Sequence, residues 1–181
     1  VSPVASAAQQ RDVNAGLAKL GESAQVVWTN RDIPEAGYYV TPTLFRSDAG
    51  IDAPFVHEHE VFGPASTVLP WSGDAAEVVD MVRAGGGGLV ASVYSDDKDW
   101  AGQVLLGIAP FHGRLHWGSR KVHDQSPGPG TVLPTLVHGG PGKAGGGEEL
   151  GGERGLAFYW TRTALQGDRA LLERVFGKSG E

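Results

Sequence analysis

His57-Glu58-His59-Glu60-Val61-Phe62-Gly63-Pro64 is the stretch from which this chain is best read. Four ionisable groups run into an apolar-aromatic turn closed by Gly-Pro. Glycine supplies backbone freedom and proline fixes φ, so the turn is expected to hold Glu60 and Phe62 in a defined place. Ala65 to Trp71, apolar and β-branched, reads as a buried strand behind it. A carboxylate and a ring presented together at the mouth of a strand can take a ribose and its attached base. The carboxylate accepts from two hydroxyls while the ring packs on the flat partner.

The pattern spreads outward from there as helices alternating with strands. Ser6 caps a helix over 6–20 whose Val13, Leu17 and Leu20 share one face, with Gly21 as its stop. Gln25 to Trp28 and Tyr38 to Phe45 read as strands, Pro42 marking an edge or bend in the second. Asp48 to Pro54 is expected to be a loop. Asp74 caps a helix to Ala84 with an Ala75, Val78, Val79, Val82 stripe. Leu89 to Tyr94 is dense enough in apolar residues for a central strand, and a helix over Asp96 to Leu106 and a strand over Gly113 to Trp117 follow. Such alternation with short links predicts an α/β layer built on a mainly parallel sheet. From Gly118 to Gly155 glycine and proline dominate, predicting a long shaped loop. Leu156 to Leu165 reads as a projecting strand that seeks a partner edge. Asp168 to Phe176 closes as a helix with Leu171, Leu172 and Val175 on one side.

Composition narrows the function classes. The 181 residues suit one domain with a real core, and a net charge of -6 without a Lys/Arg block argues against nucleic acid. No apolar run reaches membrane-spanning length and no signal peptide is visible, so a soluble, cytoplasmic protein is expected. The chain has no cysteine, hence no disulfide, thiolate metal site or thiol nucleophile. Met81 is the sole methionine and the chain opens on Val1.

Two motifs invite other chemistries. Gly142-Lys143 suggests a phosphate loop, but Ala144 follows where Ser or Thr belongs and Val137 stands at the first glycine position. Glu148 and Glu149 would also repel phosphates there, and adjacent residues point apart, so they make no glycosidase pair. His57 and His59, two apart on an extended segment, would share a face, with Glu60 and His112, His116, His123 or His138 as further metal donors. H-E-x-x-H is not met, since position 61 is Val, and no metal is expected.

Glu60-Val61-Phe62-Gly63-Pro64 resembles the E-x-F-G-P motif of the aldehyde dehydrogenase superfamily. The run from His138 to Gly152, H-G-G-P-G-K-A-G-G-G-E-E-L-G-G, resembles the loop that wraps the substrate tunnel in that family. Its form is similar to one branch, the CoA-linked semialdehyde dehydrogenases of phenylacetate and benzoate degradation. Gly88-Leu89-Val90-Ala91-Ser92-Val93-Tyr94 and Thr161-Arg162-Thr163-Ala164-Leu165-Gln166-Gly167 share that likeness, which covers nearly the whole chain. The resemblance implies that Glu60 holds the nicotinamide ribose of NAD or NADP and that Phe62 lies against the nicotinamide. It implies a tunnel-wall role for His138, and it sets Trp117, Gly118 and Ser119 along the substrate approach. Lys143 and Arg120 read as solvated charge rather than as contacts to CoA phosphates.

The family's nucleophilic Cys, its general-base Glu and its dinucleotide-binding domain all precede the E-x-F-G-P motif, and no Cys precedes Glu60 here. The resemblance therefore implies the C-terminal part of such an enzyme, with no catalytic residue of its own and no turnover alone. Residues 1–155 would be the rear of the catalytic domain. Residues 156–181 would hold the oligomerisation strand and terminal helix, joining a homodimer through Leu156 to Leu165. Two other readings stay open: a non-catalytic partner of a full-length dehydrogenase, and a metal-dependent hydrolase built on the histidines.

Overall fold

A computed structural model describes residues 3–126, 128–131, 139–145, 153, 156–157, 160 and 163–177. Helix α1 spans Ala7–Ser23, and the Ser6 side chain caps it by accepting from the Gln9 amide. It runs through Gly21 instead of stopping there. A glycine inside a helix costs only about 1 kcal/mol, and Val13 and Leu20, both buried, hold down the turns that precede it.

Three short strands follow: β1 (Gln25–Thr29), β2 (Thr43–Arg46) and β3 (Ala65–Val68). They form one sheet in that order, β1–β2 antiparallel with a register shift between Val26 and Trp28, β2–β3 parallel. The strand expected over Tyr38 to Phe45 starts only at Thr43. Pro42 has no amide to give a ladder, although its carbonyl accepts from Asn30. β3 is also shorter than the expected Ala65 to Trp71 and half-buried in alternation, as suits the sheet's edge. Phe45, in the middle strand, is among the most deeply buried side chains.

The second layer is a β-α-β unit preceded by a helix. Helix α3 (Ala75–Ala84) begins at its Asp74 cap, and α4 (Lys98–Ile108) at Asp97, whose carboxylate accepts from the amides of Asp99 and Trp100. Each such cap stabilises a helix by about 1 kcal/mol. Strands β4 (Gly88–Tyr94) and β5 (His112–Gly118) pair in parallel. Ala75, Val93, Ala101, Val104 and Ile108 make the core between them, with the predicted Val78, Val79 and Val82 packed against it. Gly107 lets α4 close on α3, since an added Cβ there would collide with the Val79 side chain.

The α/β class is as expected, but the described strands form two small sheets instead of one. Leu89, Val90 and Tyr94 of β4 are consequently exposed, where a central strand was predicted. The loop before the Glu60 stretch contains a 3-10 turn (Gly50–Asp52) and a short helix, α2 (Pro54–Glu58), started by Pro54.

The projecting strand expected over Leu156 to Leu165 lies partly outside the described residues. Where it is described it is not a strand: Leu156 and Ala157 have helical backbone, and 163–165 are irregular. Trp160 donates its amide to the Ala157 carbonyl at 3.3 Å, a local bond, and no strand among the described residues pairs with this segment. Helix α5 (Arg169–Phe176) forms where a helix over Asp168 to Phe176 was expected, and the structure adds the Asp168 cap, yet Leu171 and Val175 are exposed rather than packed. No helix among the described residues is long and apolar enough to cross a membrane.

Candidate functional site

The Glu60 stretch is pinned against α1. An added Cβ on Gly16 would lie 2.9 Å from a Val61 methyl, and one on Gly63 would overlap the Val13 side chain. Gly63 is thus required for close approach to α1. It is not among the glycines with positive φ, so the expected backbone freedom is not what it provides. Two tight bonds, Gly63 N–H to Val61 O and Ala65 N–H to Gly63 O, carry the turn into β3. The Thr43 amide then donates to the Pro64 carbonyl at 3.0 Å, joining the turn to β2.

Clamped in this way, Val61 faces inward while Glu60 and Phe62 project outward. Phe62 is 80 % exposed, and Glu60 has no hydrogen bond or ion pair among the described residues. Both line a cavity of about 640 Å³ shared with His57, Glu58, Leu89, Val90 and Lys143. On their other side, against Asp12, Gly16 and Lys19 of α1, both also line one of about 610 Å³.

The histidine pair has a different geometry from the one expected. His57 lies in α2, with Nε2 2.8 Å from the Gly50 carbonyl, and so is not extended. His59 stacks on Phe55 with ring centroids 4.7 Å apart. Each ring is engaged by its local turn. No group of three or more His, Asp or Glu arranged for a metal ion occurs among the described residues.

Ser119 belongs to another cavity, of about 610 Å³, at the opposite end of the β4–β5 pair. Tyr94, Asp96, His116, Arg120 and His123 line it too. Arg120 is fastened there: its guanidinium pairs with Asp96 at 3.2 Å and its amide donates to the same carboxylate at 2.9 Å. Trp117 turns its indole N–H to the Ser95 carbonyl at 3.0 Å. Gly118 sits under the Tyr94 ring, which an added Cβ would overlap. His138 lies outside the described residues. The predicted residues therefore divide between two ends of one strand pair, Glu60 and Phe62 at one, Ser119 at the other.

Sequence reading missed how Lys143 is used. Its ammonium donates to the Glu58 carbonyl at 2.9 Å, across 85 residues. No local spacing encodes such a contact; the one available signal was a lone cation within a glycine-rich run.

The chain belongs to the aldehyde dehydrogenase family, whose model matches residues 1–164. It is 38% identical over 169 residues to Protein MaoC of Klebsiella aerogenes, covering 92% of this chain and 50% of that protein. It is 40% identical over 148 residues to the 3,4-dehydroadipyl-CoA semialdehyde dehydrogenase of Aromatoleum evansii, covering 78% of this chain and 28% of that one. Among solved structures, the NAD+ complex of an aldehyde dehydrogenase from Bacillus cereus matches with a TM-score of 0.67 at 28% identity, over 87% of this chain and 29% of that one. The succinic semialdehyde dehydrogenase of Streptococcus pyogenes with NADP+ gives a TM-score of 0.66 at 27% identity, over 84% of this chain and 30% of that one. The chain thus spans half or less of the length of each of these relatives.

Proposed function

We propose that this chain is the C-terminal portion of an NAD- or NADP-dependent aldehyde dehydrogenase that oxidises a CoA-linked semialdehyde to its acid. One observation carries the assignment of its site. Glu60, a carboxylate with no described partner, stands beside the exposed Phe62 ring over a cavity of about 640 Å³. A ribose diol fits the carboxylate, and a flat heterocycle fits the ring. The bound coenzyme would supply a hydride acceptor. The part of this chain is orientation: Glu60 holds the sugar, Phe62 limits the ring's travel, and α1 keeps both in register through Val61 and Gly63. His138, Trp117 and Ser119 are assigned to the aldehyde's approach. The CoA-linked substrate class is supported by the 40% identity to the Aromatoleum protein, and dependence on NAD or NADP by the NAD+ and NADP+ structures of similar chains.

Attack on the aldehyde in this family needs a thiolate, and these 181 residues include no cysteine. The isolated chain is therefore expected to show no aldehyde-dependent reduction of NAD or NADP. The coding sequence upstream of the Val1 codon tests the assignment. A frame continuing through a Cys-bearing segment and a dinucleotide-binding domain, whose product oxidises the semialdehyde, supports it. A stop codon and ribosome site directly before Val1 would favour a non-catalytic partner of a larger dehydrogenase, and turnover by the 181-residue chain would remove the argument from the missing thiol.

A homodimer joined through the segment around Leu156 to Leu165 belongs to the same proposal. Leu156, Trp160 and Leu165 are each more than half exposed, an apolar surface suited to a second subunit. Leu165→Asp is expected to shift sedimentation of the enzyme from dimer toward monomer. An unchanged sedimentation coefficient would place the contact elsewhere.

A further inference from the structure

Lys143 lies on a 3-10 turn (Gly142–Ala144) that rests directly on the backbone leading into β4. Its amide donates to the Gly86 carbonyl at 3.3 Å. Glycines permit this approach: a Cβ on Gly87 would overlap the Pro141 carbonyl oxygen, and one on Gly142 would overlap that of Gly86. The lysine stem then passes over Gly86, where an added Cβ would lie 3.3 Å from Cε, and ends on the Glu58 carbonyl.

That carbonyl is the last of α2, one of the helix-end acceptors left without an intrahelical donor. A cation there both satisfies the acceptor and opposes the helix's negative end. Two residues on, Glu60 has no tether of its own among the described residues, and the next anchor is Val61 on Gly16. Of the two cavities that Glu60 and Phe62 line, Lys143 is the sole Lys or Arg among the described residues lining the one of about 640 Å³.

We propose that Lys143 is a positioning residue for the coenzyme: its ammonium fixes the Glu58 carbonyl, and so sets where the Glu60 carboxylate stands. The segment 59–62 is then held from both sides, by the glycine-rich loop before it and by α1 behind it. This inference rests on the reading of Glu60 as a coenzyme ligand.

The test uses the enzyme expressed from the complete reading frame, with Lys143→Met, Lys143→Arg and Glu60→Gln. Lys143→Met removes the donor and keeps the stem. It is expected to raise the coenzyme Kd about tenfold, the scale of one hydrogen bond from a charged group, with little change in aldehyde KM. Amides of 58–62 should exchange faster with solvent. Lys143→Arg, which keeps a cationic donor, should restore the Kd to within about threefold of the parent. If Glu60→Gln weakens coenzyme binding while Lys143→Met alters neither Kd nor exchange, the positioning role is overturned and the Glu60 reading stands. If Lys143→Arg is as impaired as Lys143→Met, the donor contact is not what matters and the role is again overturned. If Glu60→Gln leaves the Kd unchanged, the coenzyme reading itself falls, and the positioning role with it.

Discussion

Glu60→Gln in the complete enzyme is expected to lower kcat/KM for the coenzyme by about ten- to a hundredfold, with the aldehyde KM little altered. A carboxylate can accept from both ribose hydroxyls with charge on each bond, whereas an amide offers one oxygen and turns two donors toward the diol. The loss is then one charge-assisted bond, worth about 1.5–3 kcal/mol. Melting temperature should not move, because Glu60 has no hydrogen bond or ion pair with a described residue to lose. That separation gives the test its force. An effect on coenzyme kinetics without an effect on stability assigns the residue to the ligand. A variant with parental coenzyme kinetics would remove Glu60 from the site. A less stable variant would instead tie Glu60 to the fold.

Four helices were legible because each carries its own start signal, whereas α2, which has no side-chain cap, was not expected. Ser6, Asp74, Asp97 and Asp168 all cap the helices that follow them, and in three the carboxylate accepts the first amides. Strand extents were less legible, since ladder partners decide them. Nothing local told Ala65 to Trp71 that only four residues would pair at a sheet edge, or that Leu89 and Val90 would stay exposed. The Leu156–Leu165 segment shows the same dependence more strongly. Aromatic and β-branched residues favour extension, but no strand among the described residues pairs with this segment, and Leu156 and Ala157 have helical backbone.

The site divides along similar lines. Glu60 and Phe62 were visible because a compact turn presents them, and the turn's chemistry is contained within five residues. The reason for Gly63 was not visible, because it lies in Val13, fifty residues earlier and on another element. Lys143 was harder still, since its partner is a backbone carbonyl and no side-chain type marks it. Contacts to backbone leave no trace in the partner's identity.

Gly113→Ala tests the largest of these backbone contacts, and its sign is informative. Gly113 lies in β5 without positive φ, so alanine fits its conformation. On chain entropy alone the change would stabilise the protein by about 0.4–1 kcal/mol. The structure predicts the reverse, because the added Cβ would overlap the carbonyl of Gly139. Backbone cannot rotate aside as a side chain can. Overpacking therefore costs about 3 kcal/mol, or the glycine-rich loop lifts off β5. Gly140 would lose its place over the Gly88 carbonyl, and Lys143 its reach to Glu58. Both outcomes lower the urea midpoint, but only lifting exposes 139–145 to rapid amide exchange and also weakens coenzyme binding in the complete enzyme. Weakened binding together with exchange confined to that loop would show that its docking supports Glu60. A variant more stable than the parent would mean that β5 and the loop do not meet at Gly139.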